Sequence, residues 1–378
     1  MDYLLSIVIP TKNRFNYLIE CLSAIIDIGS DKIEIVVQDN SDNMEVEEYI
    51  RTLNWPHIKY FYESKKLSQT GNSELAVEHS TGKYVCYIGD DDAVATQLIE
   101  VVKLMEKYSI DACTFDVATY NWPDVIAHNP KIIPFRFNKS DVRIKKIDSK
   151  QVLSRYLSNG MQEIKLLPRV YHGILSKEIL EEIKTRTGSY FPGPSPDMAN
   201  ATAASLIVRK FFKIGYPLII DGKSYKSAGG MGLRGAHTGK LTGVSQLSDD
   251  VEANWNARIP KLWLGRTIWP ESCIKALEAM QETEYINKMN WHAIYARILL
   301  RNSEYANEVR EHLHTINDYI KVGFVCLERM YKYAYAILQG KIKRLLKTEY
   351  VCNETITISQ AIKITEKSFC KEEIIKKS

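Results

Sequence analysis

Short apolar runs alternate with helix-forming segments through the first hundred residues of this 378-residue chain. The apolar runs have the length of strands and lie at 4–9, 33–37, 58–62 and 83–88. The segments between them, at 17–28, 46–53 and 71–80, are predicted to be helices. Apolar strands separated by helices are typical of a parallel sheet that is covered on both faces. The sequence therefore predicts an α/β fold whose N-terminal part holds a mostly parallel, Rossmann-like sheet.

Polar clusters follow three of these strands, at the point where each strand ends. They lie at 11–14, 39–42 and 90–92. In a parallel sheet the carboxyl ends of the strands share one edge, and ligands bind there. The sequence therefore predicts a binding site at this edge.

The third cluster consists of three consecutive carboxylates, Asp90, Asp91 and Asp92, directly after an apolar run. Adjacent like charges repel one another, and a hard cation relieves that repulsion. Mg²⁺ and Mn²⁺ prefer carboxylate oxygens and keep positions free for phosphate groups. The alternative interpretation is a solvated acidic turn.

The composition is that of a soluble globular protein, with 45% hydrophobic and 25% charged residues. The net charge of +4 is too small to indicate nucleic-acid binding by itself. The seven cysteines are scattered without a CxxC pair, which argues against a zinc site or a disulfide framework and favours the cytoplasm. No uninterrupted apolar segment reaches the roughly 18 residues that a membrane-spanning helix needs.

Four motifs resemble those of family 2 glycosyltransferases with a GT-A fold, in the same order and spacing. They are SIVIPTKNR at 6–14, EIVVQDNS at 34–41, Gly71-Asn72 followed by Gly82-Lys-Tyr84, and GDDD at 89–92. The resemblance implies transfer of a sugar from a nucleotide-diphosphate donor, with Mn²⁺ or Mg²⁺ as cofactor. It also implies a role in assembling a surface polysaccharide such as an O-antigen or capsule.

The resemblance further assigns residues to the nucleotide-sugar site. Those expected to contact the base, the ribose or the phosphates are Pro10, Thr11, Asn13, Arg14, Asp39, Asn40, Gly71 and Asn72. The aspartates at 90–92 correspond to the DXD element of the family. Within it we expect Asp92 to bind the metal, with Asp90 and Asp91 nearer the ribose, although the triple aspartate leaves the register open by one residue.

A proline-rich segment supplies a candidate catalytic base, Asp197. Prolines at 192, 194 and 196 prevent a helix before Asp197, and a helical run follows from 198 to 207. One interpretation is that Asp197 caps this helix. The other, implied by the resemblance, is that its carboxylate removes the proton of the acceptor hydroxyl.

The segment 229–239 contains five glycines and includes a G-x-G-x-x-G pattern. No strand ends directly before it and no helix is predicted after Gly235, which argues against a dinucleotide site. We expect a flexible loop over 229–245 whose Arg234 and His237 reach the diphosphate when the loop closes. The alternative is an ordinary linker.

The C-terminal region, 246–378, is predicted to be mainly helical and to follow a catalytic domain at 1–228. Long helices are expected at 285–313 and 316–346, and the polar segment 352–378 is expected to fray. Between 321 and 347 there are seven basic residues and one acidic residue beside an apolar face. The segment 316–347 is therefore predicted to pack within the protein, to form a homo-oligomer, or to contact the inner face of the cell membrane.

The sequence as a whole predicts a metal-dependent, inverting glycosyltransferase that acts on a glycan acceptor, which we expect to be lipid-linked. Two alternatives stay open at this point. One is a nucleotidyltransferase, which also uses aspartates at strand ends. The other is a catalytically inactive sugar-binding or scaffold protein.

Overall fold

The computed structural model describes residues 3–53, 55–139, 143–235, 238–244, 246–248, 250–345 and 348–368. The elements of the first hundred residues lie within a few residues of their predicted positions. They are β1 (Leu5–Thr11), α1 (Phe15–Ile26), β2 (Ile33–Asp39), α2 (Glu45–Thr52), β3 (Ile58–Tyr62), α3 (Gln69–Glu78) and β4 (Tyr84–Tyr87).

These four strands form a parallel sheet in the order β4-β1-β2-β3. Both of its faces are buried because successive side chains of a strand point to opposite faces. In β1, Ile7 and Ile9 pack into one apolar cluster with α1, whereas Val8 packs into a second cluster with α3. The predicted α/β fold with a Rossmann-like sheet is confirmed.

The chain then extends the sheet with strands of mixed direction. The elements concerned are β5 (Ala93–Val94), α4 (Leu98–Lys107), β6 (Ala112–Asn121), α5 (Pro123–His128), β7 (Phe135–Asn138), β8 (Ile144–Lys146), α6 (Ser149–Leu157), β9 (Gly173–Ser176), α7 (Lys177–Thr187), α8 (Pro196–Ile207) and β10 (Phe211–Lys223). Strand β9 lies antiparallel between β4 and β6, and β10 runs parallel to β6. This topology brings the carboxyl end of β10 to the loop that follows β4.

The remaining elements are mainly helical, as predicted. They are α9 (Ala228–Leu233), β11 (Gly239–Lys240), β12 (Leu262–Trp263), α10 (Gly265–Ala279), α11 (Trp291–Arg301), α12 (Ala306–Arg310), α13 (Ile316–Leu345), β13 (Glu349–Cys352) and α14 (Ile358–Lys367). The single long helix predicted over 285–313 is instead divided into a 3₁₀ turn at Thr283–Lys288 and the shorter helices α11 and α12. Among the described residues, no helix is both long enough and apolar enough to cross a membrane.

The glycine-rich segment differs from the flexible loop that the sequence predicts, because its first part is helix α9. The Ser227 hydroxyl accepts a hydrogen bond from the Gly230 amide and caps this helix. A Cβ atom on Gly230 would come within 1.8 Å of the Ser224 carbonyl oxygen. At this position glycine therefore permits a close backbone approach within an ordered turn.

From 352 to 368 the C-terminal segment also differs from the prediction that it frays, whereas 369–378 lie outside the described residues. Strand β13 pairs antiparallel with β7 and so extends the central sheet. Helix α14 buries Ile358, Ala361 and Ile362 in the same apolar cluster as α1. The segment is polar on average, but its apolar residues recur at helical spacing and form one face of an amphipathic helix.

Candidate active site

The three consecutive aspartates lie at the predicted edge of the sheet, but they are buried. Asp90, Asp91 and Asp92 are each less than 5% exposed. They occupy the turn after β4, in which the Asp92 amide donates to the Gly89 carbonyl. The alternative of a solvated acidic turn is therefore wrong, because β10 and the loop after β1 cover these carboxylates.

Arg14 neutralises the first two aspartates. Its Nη1 lies 2.8 Å from Asp90 Oδ1 and its Nη2 lies 2.7 Å from Asp91 Oδ2. The same Nη2 donates to Ser224 Oγ at 2.7 Å, at the end of β10. Burial by itself lowers the pKa of Arg14, but the attraction of Asp90 and Asp91 outweighs burial and raises it. Arg14 thus holds the acidic turn, β1 and β10 together.

The third aspartate faces a different partner, a buried histidine. His172 Nε2 lies 2.7 Å from Asp92 Oδ2, and the ligand atoms of Asp92, His172 and Asp221 all lie within 4.8 Å of one another. The other Asp92 contacts are with backbone amides, Gly89 at 2.6 Å and Gly222 at 2.8 Å. Although burial lowers the pKa of His172, the adjacent Asp92 carboxylate raises it above its ordinary value.

This cluster fits a divalent cation because negative charge is in excess. Four carboxylates, those of Asp90, Asp91, Asp92 and Asp221, lie in this cluster. Within the described chain their basic partners are Arg14, His172 and Lys223, whose Nζ is 3.8 Å from Asp221. Burial raises the pKa of Asp90 to about 7, and Asp91 adds to this although Arg14 opposes it. Burial likewise raises the pKa of Asp221. A set of two carboxylates and one imidazole suits Mn²⁺ and similar ions, with Asp92, His172 and Asp221 as the ligands.

Two residues of this cluster, His172 and Asp221, were absent from the sequence-based site. His172 lies at the end of a long connection in a left-handed backbone conformation (φ 54°), and no pattern around it indicates a site. Asp221 had a usable signal, because it directly follows the apolar run 217–220. The reasoning that located Asp90 at a strand end applies equally to Asp221.

The residues expected to bind the nucleotide lie together at the ends of β1 and β2. Asp39 is fully buried, accepting from the Ser41 amide at 2.8 Å and from the Tyr60 hydroxyl at 2.9 Å. Thr11 donates to Asp90 Oδ2 at 2.6 Å and so joins β1 to the acidic turn. Pro10, directly before it, is half-buried.

The amide side chains of this region fasten its loops. Asn40 Nδ2 donates to the Glu63 and Lys65 carbonyl oxygens, which fixes the loop after β3. Asn13, in a left-handed conformation, exchanges two hydrogen bonds with Asp42. Asn72 Nδ2 donates to the Thr11 carbonyl oxygen at 3.2 Å, and its buried Oδ1 has no partner within the described chain. Asn72 therefore retains an unused acceptor beside the predicted nucleotide site.

Asp197 lies in the first turn of α8 and is not its cap. The N-cap residue is Ser195, and Pro196 is the first helical residue. The Asp197 carboxylate accepts from the Met198 amide at 2.7 Å and from the Ser195 hydroxyl. Burial raises the pKa of Tyr87, and both Asp90 and Asp197 raise it further. Tyr87 therefore lies within electrostatic range of both Asp197 and the acidic turn.

The proline-rich segment that carries Asp197 is anchored by a carboxylate on α3. Glu74 accepts hydrogen bonds from the amides of Tyr190 and Phe191, at 3.0 and 2.8 Å, and from the Ser189 hydroxyl. At the other end of the segment, the Ser195 amide donates to Ser272 Oγ at 2.8 Å. Asp197 is thus held between α3 and α10.

We expect Glu74→Ala to lower kcat by about tenfold or more while leaving donor affinity unchanged, because it frees the segment that positions Asp197. It should also cost about 1–3 kcal/mol of unfolding free energy, the usual effect of unpaired buried donors. Steady-state kinetics and thermal unfolding measure both effects. The control is Glu78→Ala on the same helix, since Glu78 is exposed and lies 3.8 Å from Lys184, the lysine that is also 3.8 Å from Glu74. Equal effects of the two variants would contradict the anchoring role.

Of the two residues predicted from the glycine-rich segment, the structure describes Arg234, whose guanidinium contacts Tyr225. The Arg234 guanidinium lies 3.6 Å from the centre of the Tyr225 ring and donates to the Tyr225 carbonyl oxygen at 2.8 Å. His237 lies outside the described residues. A role for either in binding a diphosphate stays a prediction.

A cavity of about 750 Å³ opens beside the start of α3. One wall consists of Lys65–Ser68 and Gly71, and the other includes Leu241, Leu247 and Glu252. The Gln69 amide donates to the Gln246 carbonyl oxygen at 3.0 Å and holds the two walls together. Cavities of roughly 300–1,000 Å³ are typical of small-ligand sites.

Comparison with known proteins identifies the class of this domain. Residues 6–170 match the family described as glycosyl transferase family 2. An uncharacterized glycosyltransferase of Rickettsia bellii is 22% identical over 107 residues, which cover 28% of this chain and 16% of the relative. One of Rickettsia conorii is 27% identical over 108 residues, covering 28% of this chain and 18% of the relative. The matched segment thus spans less than a fifth of either relative.

A solved structure resembles the whole fold. It is Staphylococcus aureus TarS 1–349 in complex with UDP-GlcNAc, with a TM-score of 0.50 and 12% identity, covering 87% of this chain and 92% of that one. Residues 6–170 therefore form a glycosyl transferase family 2 domain, and the chain has the GT-A fold. The resemblance inferred from the four sequence motifs is confirmed.

Proposed function

We propose that this protein is a glycosyltransferase that moves a sugar from a nucleotide-diphosphate donor to a hydroxyl group of a glycan acceptor. The observation that carries the proposal is the cluster of Asp92, His172 and Asp221 at the edge of the sheet of a family 2 domain. The fold neighbour TarS was solved with UDP-GlcNAc, which supports a nucleotide-sugar donor.

The donor site we propose runs along the carboxyl ends of β1, β2 and β4. The base and ribose would lie near Pro10, Thr11 and Asp39, and the diphosphate near the acidic cluster. A divalent ion, Mn²⁺ or Mg²⁺, held by Asp92, His172 and Asp221 would neutralise the charge of the departing diphosphate as a Lewis acid. His172 would bind the ion as the neutral imidazole, so the ion would displace the proton that the Asp92 and Asp221 carboxylates favour by raising the pKa of His172.

The reaction we propose is a single displacement with inversion at the anomeric carbon. Asp197 takes the proton of the acceptor hydroxyl, whose oxygen forms the new bond to the anomeric carbon. The bond from that carbon to the donor phosphate breaks, and the nucleoside diphosphate leaves with the electron pair. Anchoring by Glu74 and Ser272 suits this role, because a base acts only at a fixed position near the proton it removes.

The acceptor site we propose is the cavity beside α3. The cavity beside α3 reaches Gly71, and the neighbouring Thr70 hydroxyl lies 3.5 Å from the Gly193 and Pro194 carbonyl oxygens of the Asp197 segment. A glycan bound there would lie close to Asp197. That the acceptor is lipid-linked, that it belongs to a surface polysaccharide, and that segment 316–347 contacts the inner face of the cell membrane all stay predictions.

Thermal unfolding with a panel of nucleotide sugars and Mn²⁺ tests the donor proposal. A true donor stabilises the folded protein by mass action, by about 2.7 kcal/mol at a hundred times its Kd. We expect one nucleotide sugar to raise Tm only when Mn²⁺ is present. A rise with free nucleoside triphosphates alone would favour a nucleotidyltransferase. No rise with any nucleotide would favour the inactive scaffold.

A further inference from the structure

Helix α13 carries an exposed apolar seam. We define the seam as Ile320, Phe324, Leu327, Tyr331 and Leu338, which are between 52 and 71% exposed. With Ala334 they recur at alternating intervals of four and three residues. This is the a/d spacing of a helix that pairs with another helix.

The opposite face of α13 is the one that holds it to the rest of the protein. Val322 is buried, and the Cys326 thiol donates to the Ala296 carbonyl oxygen of α11 at 3.9 Å. The Arg301 guanidinium lies 4.7 Å from the centre of the Tyr333 ring. At 3.6 residues per turn, Phe324, Leu327 and Tyr331 lie roughly 140–200° around the helix from Val322. The seam therefore points away from the body.

We propose that the seam binds the seam of a second copy of this chain in an antiparallel helix pair. A self-complementary surface closes as a twofold dimer. Pairing Phe324 with Leu327 of the second copy also pairs Ile320 with Tyr331, so these a residues meet d residues, whereas Leu338 lies beyond the overlap of the two helices. The face of α13 that packs on α11 lies opposite the seam. The rest of each copy therefore lies on the outer side of the helix pair, away from the other copy.

Charge complementarity selects this register and direction. Lys321 and Glu328 are both exposed and flank the seam on the same side. In the antiparallel pair each Lys321 lies beside Glu328 of the other copy, so the contact occurs twice. If one helix were shifted by one heptad along the other, Glu328 of one copy would lie beside Glu328 of the second copy. In a parallel pair Glu328 would face Gly323, which carries no side chain.

A membrane surface is the competing occupant, and the charges near the seam favour it less. From 316 to 338 the helix has three basic residues (Lys321, Arg329, Lys332) and two acidic ones (Asp318, Glu328), a net charge of +1. Attraction to an anionic leaflet needs a cluster of basic residues. The remaining basic residues of this segment lie beyond the seam, at 341–347.

Sedimentation velocity of the full chain tests the proposal. We expect a concentration-dependent dimer whose dissociation constant rises tenfold or more in Leu327→Lys. The control is Tyr319→Lys, at another exposed aromatic position of the same helix outside the seam, which should leave the constant unchanged. A wild-type monomer at tens of micromolar would overturn the proposal, as would equal effects of the two variants.

A charge exchange distinguishes the antiparallel pair from other contacts and does not depend on an apolar substitution. Lys321→Glu should weaken the dimer several-fold, and so should Glu328→Lys. The double variant Lys321→Glu/Glu328→Lys should restore it. Failure of the double variant to restore dimerisation would overturn the register. A monomer that pellets with anionic but not neutral vesicles would assign the seam to a membrane.

Discussion

Asp92→Asn is expected to lower turnover by about 10³-fold or more, because a Lewis acid at the departing diphosphate contributes several kcal/mol to transition-state stabilisation. The same variant should lose the Mn²⁺-dependent rise in Tm. Asparagine is preferable to alanine here, because its oxygen can still accept from one of the two backbone amides that bind the two oxygens of Asp92. Alanine would leave these buried groups unpaired and confuse a folding defect with a loss of metal.

Two further variants locate the metal within the cluster. Asp221→Asn should weaken the Mn²⁺ response as Asp92→Asn does, because both side chains belong to the same cluster. Asp31→Asn, at an exposed carboxylate, should change nothing and serves as the control. If Asp92→Asn keeps the Mn²⁺-dependent rise in Tm, the metal would be assigned to Asp90 or Asp91 instead.

Asp197→Asn is expected to lower kcat by about 10²–10⁴-fold with donor affinity unchanged, the usual contribution of a general base. Asparagine keeps an oxygen that can accept from the Met198 amide, so the start of α8 should persist. Asp148→Asn is the matched control, because Asp148 caps α6 by accepting from the Gln151 amide and lies outside the site. Full activity of Asp197→Asn would leave this carboxylate with a purely structural role.

The sequence predicted the N-terminal sheet well because its signals are local. Apolar runs such as 33–37 can be buried only as strands between helices, and β2 forms there. The position of Asp90–Asp92 at a strand end follows from the same pattern. The residues that cover these carboxylates cannot be predicted from that pattern, because β10 comes more than a hundred residues later in the chain.

Long-range pairing also explains what the sequence analysis missed or misplaced. Arg14, which was expected at the nucleotide site, pairs with Asp90 and Asp91 across the chain, and its contact with a phosphate stays a prediction. His172 has no motif and becomes a site residue only because β9 lies beside β4. The local pattern around Asp197 allowed a helix cap as one of its two interpretations, but Pro196 is the first helical residue and the N-cap residue is Ser195.

The account depends most on metal-dependent transfer from a nucleotide sugar, and the release of nucleoside diphosphate measures it directly. The full chain is incubated with the donor that stabilises it, with Mn²⁺ or with EDTA, beside Asp92→Asn. We predict release by the wild-type protein with Mn²⁺, little release in EDTA, and about 10³-fold less release by the variant. Equal release in EDTA, or equal release by Asp92→Asn, would contradict the account.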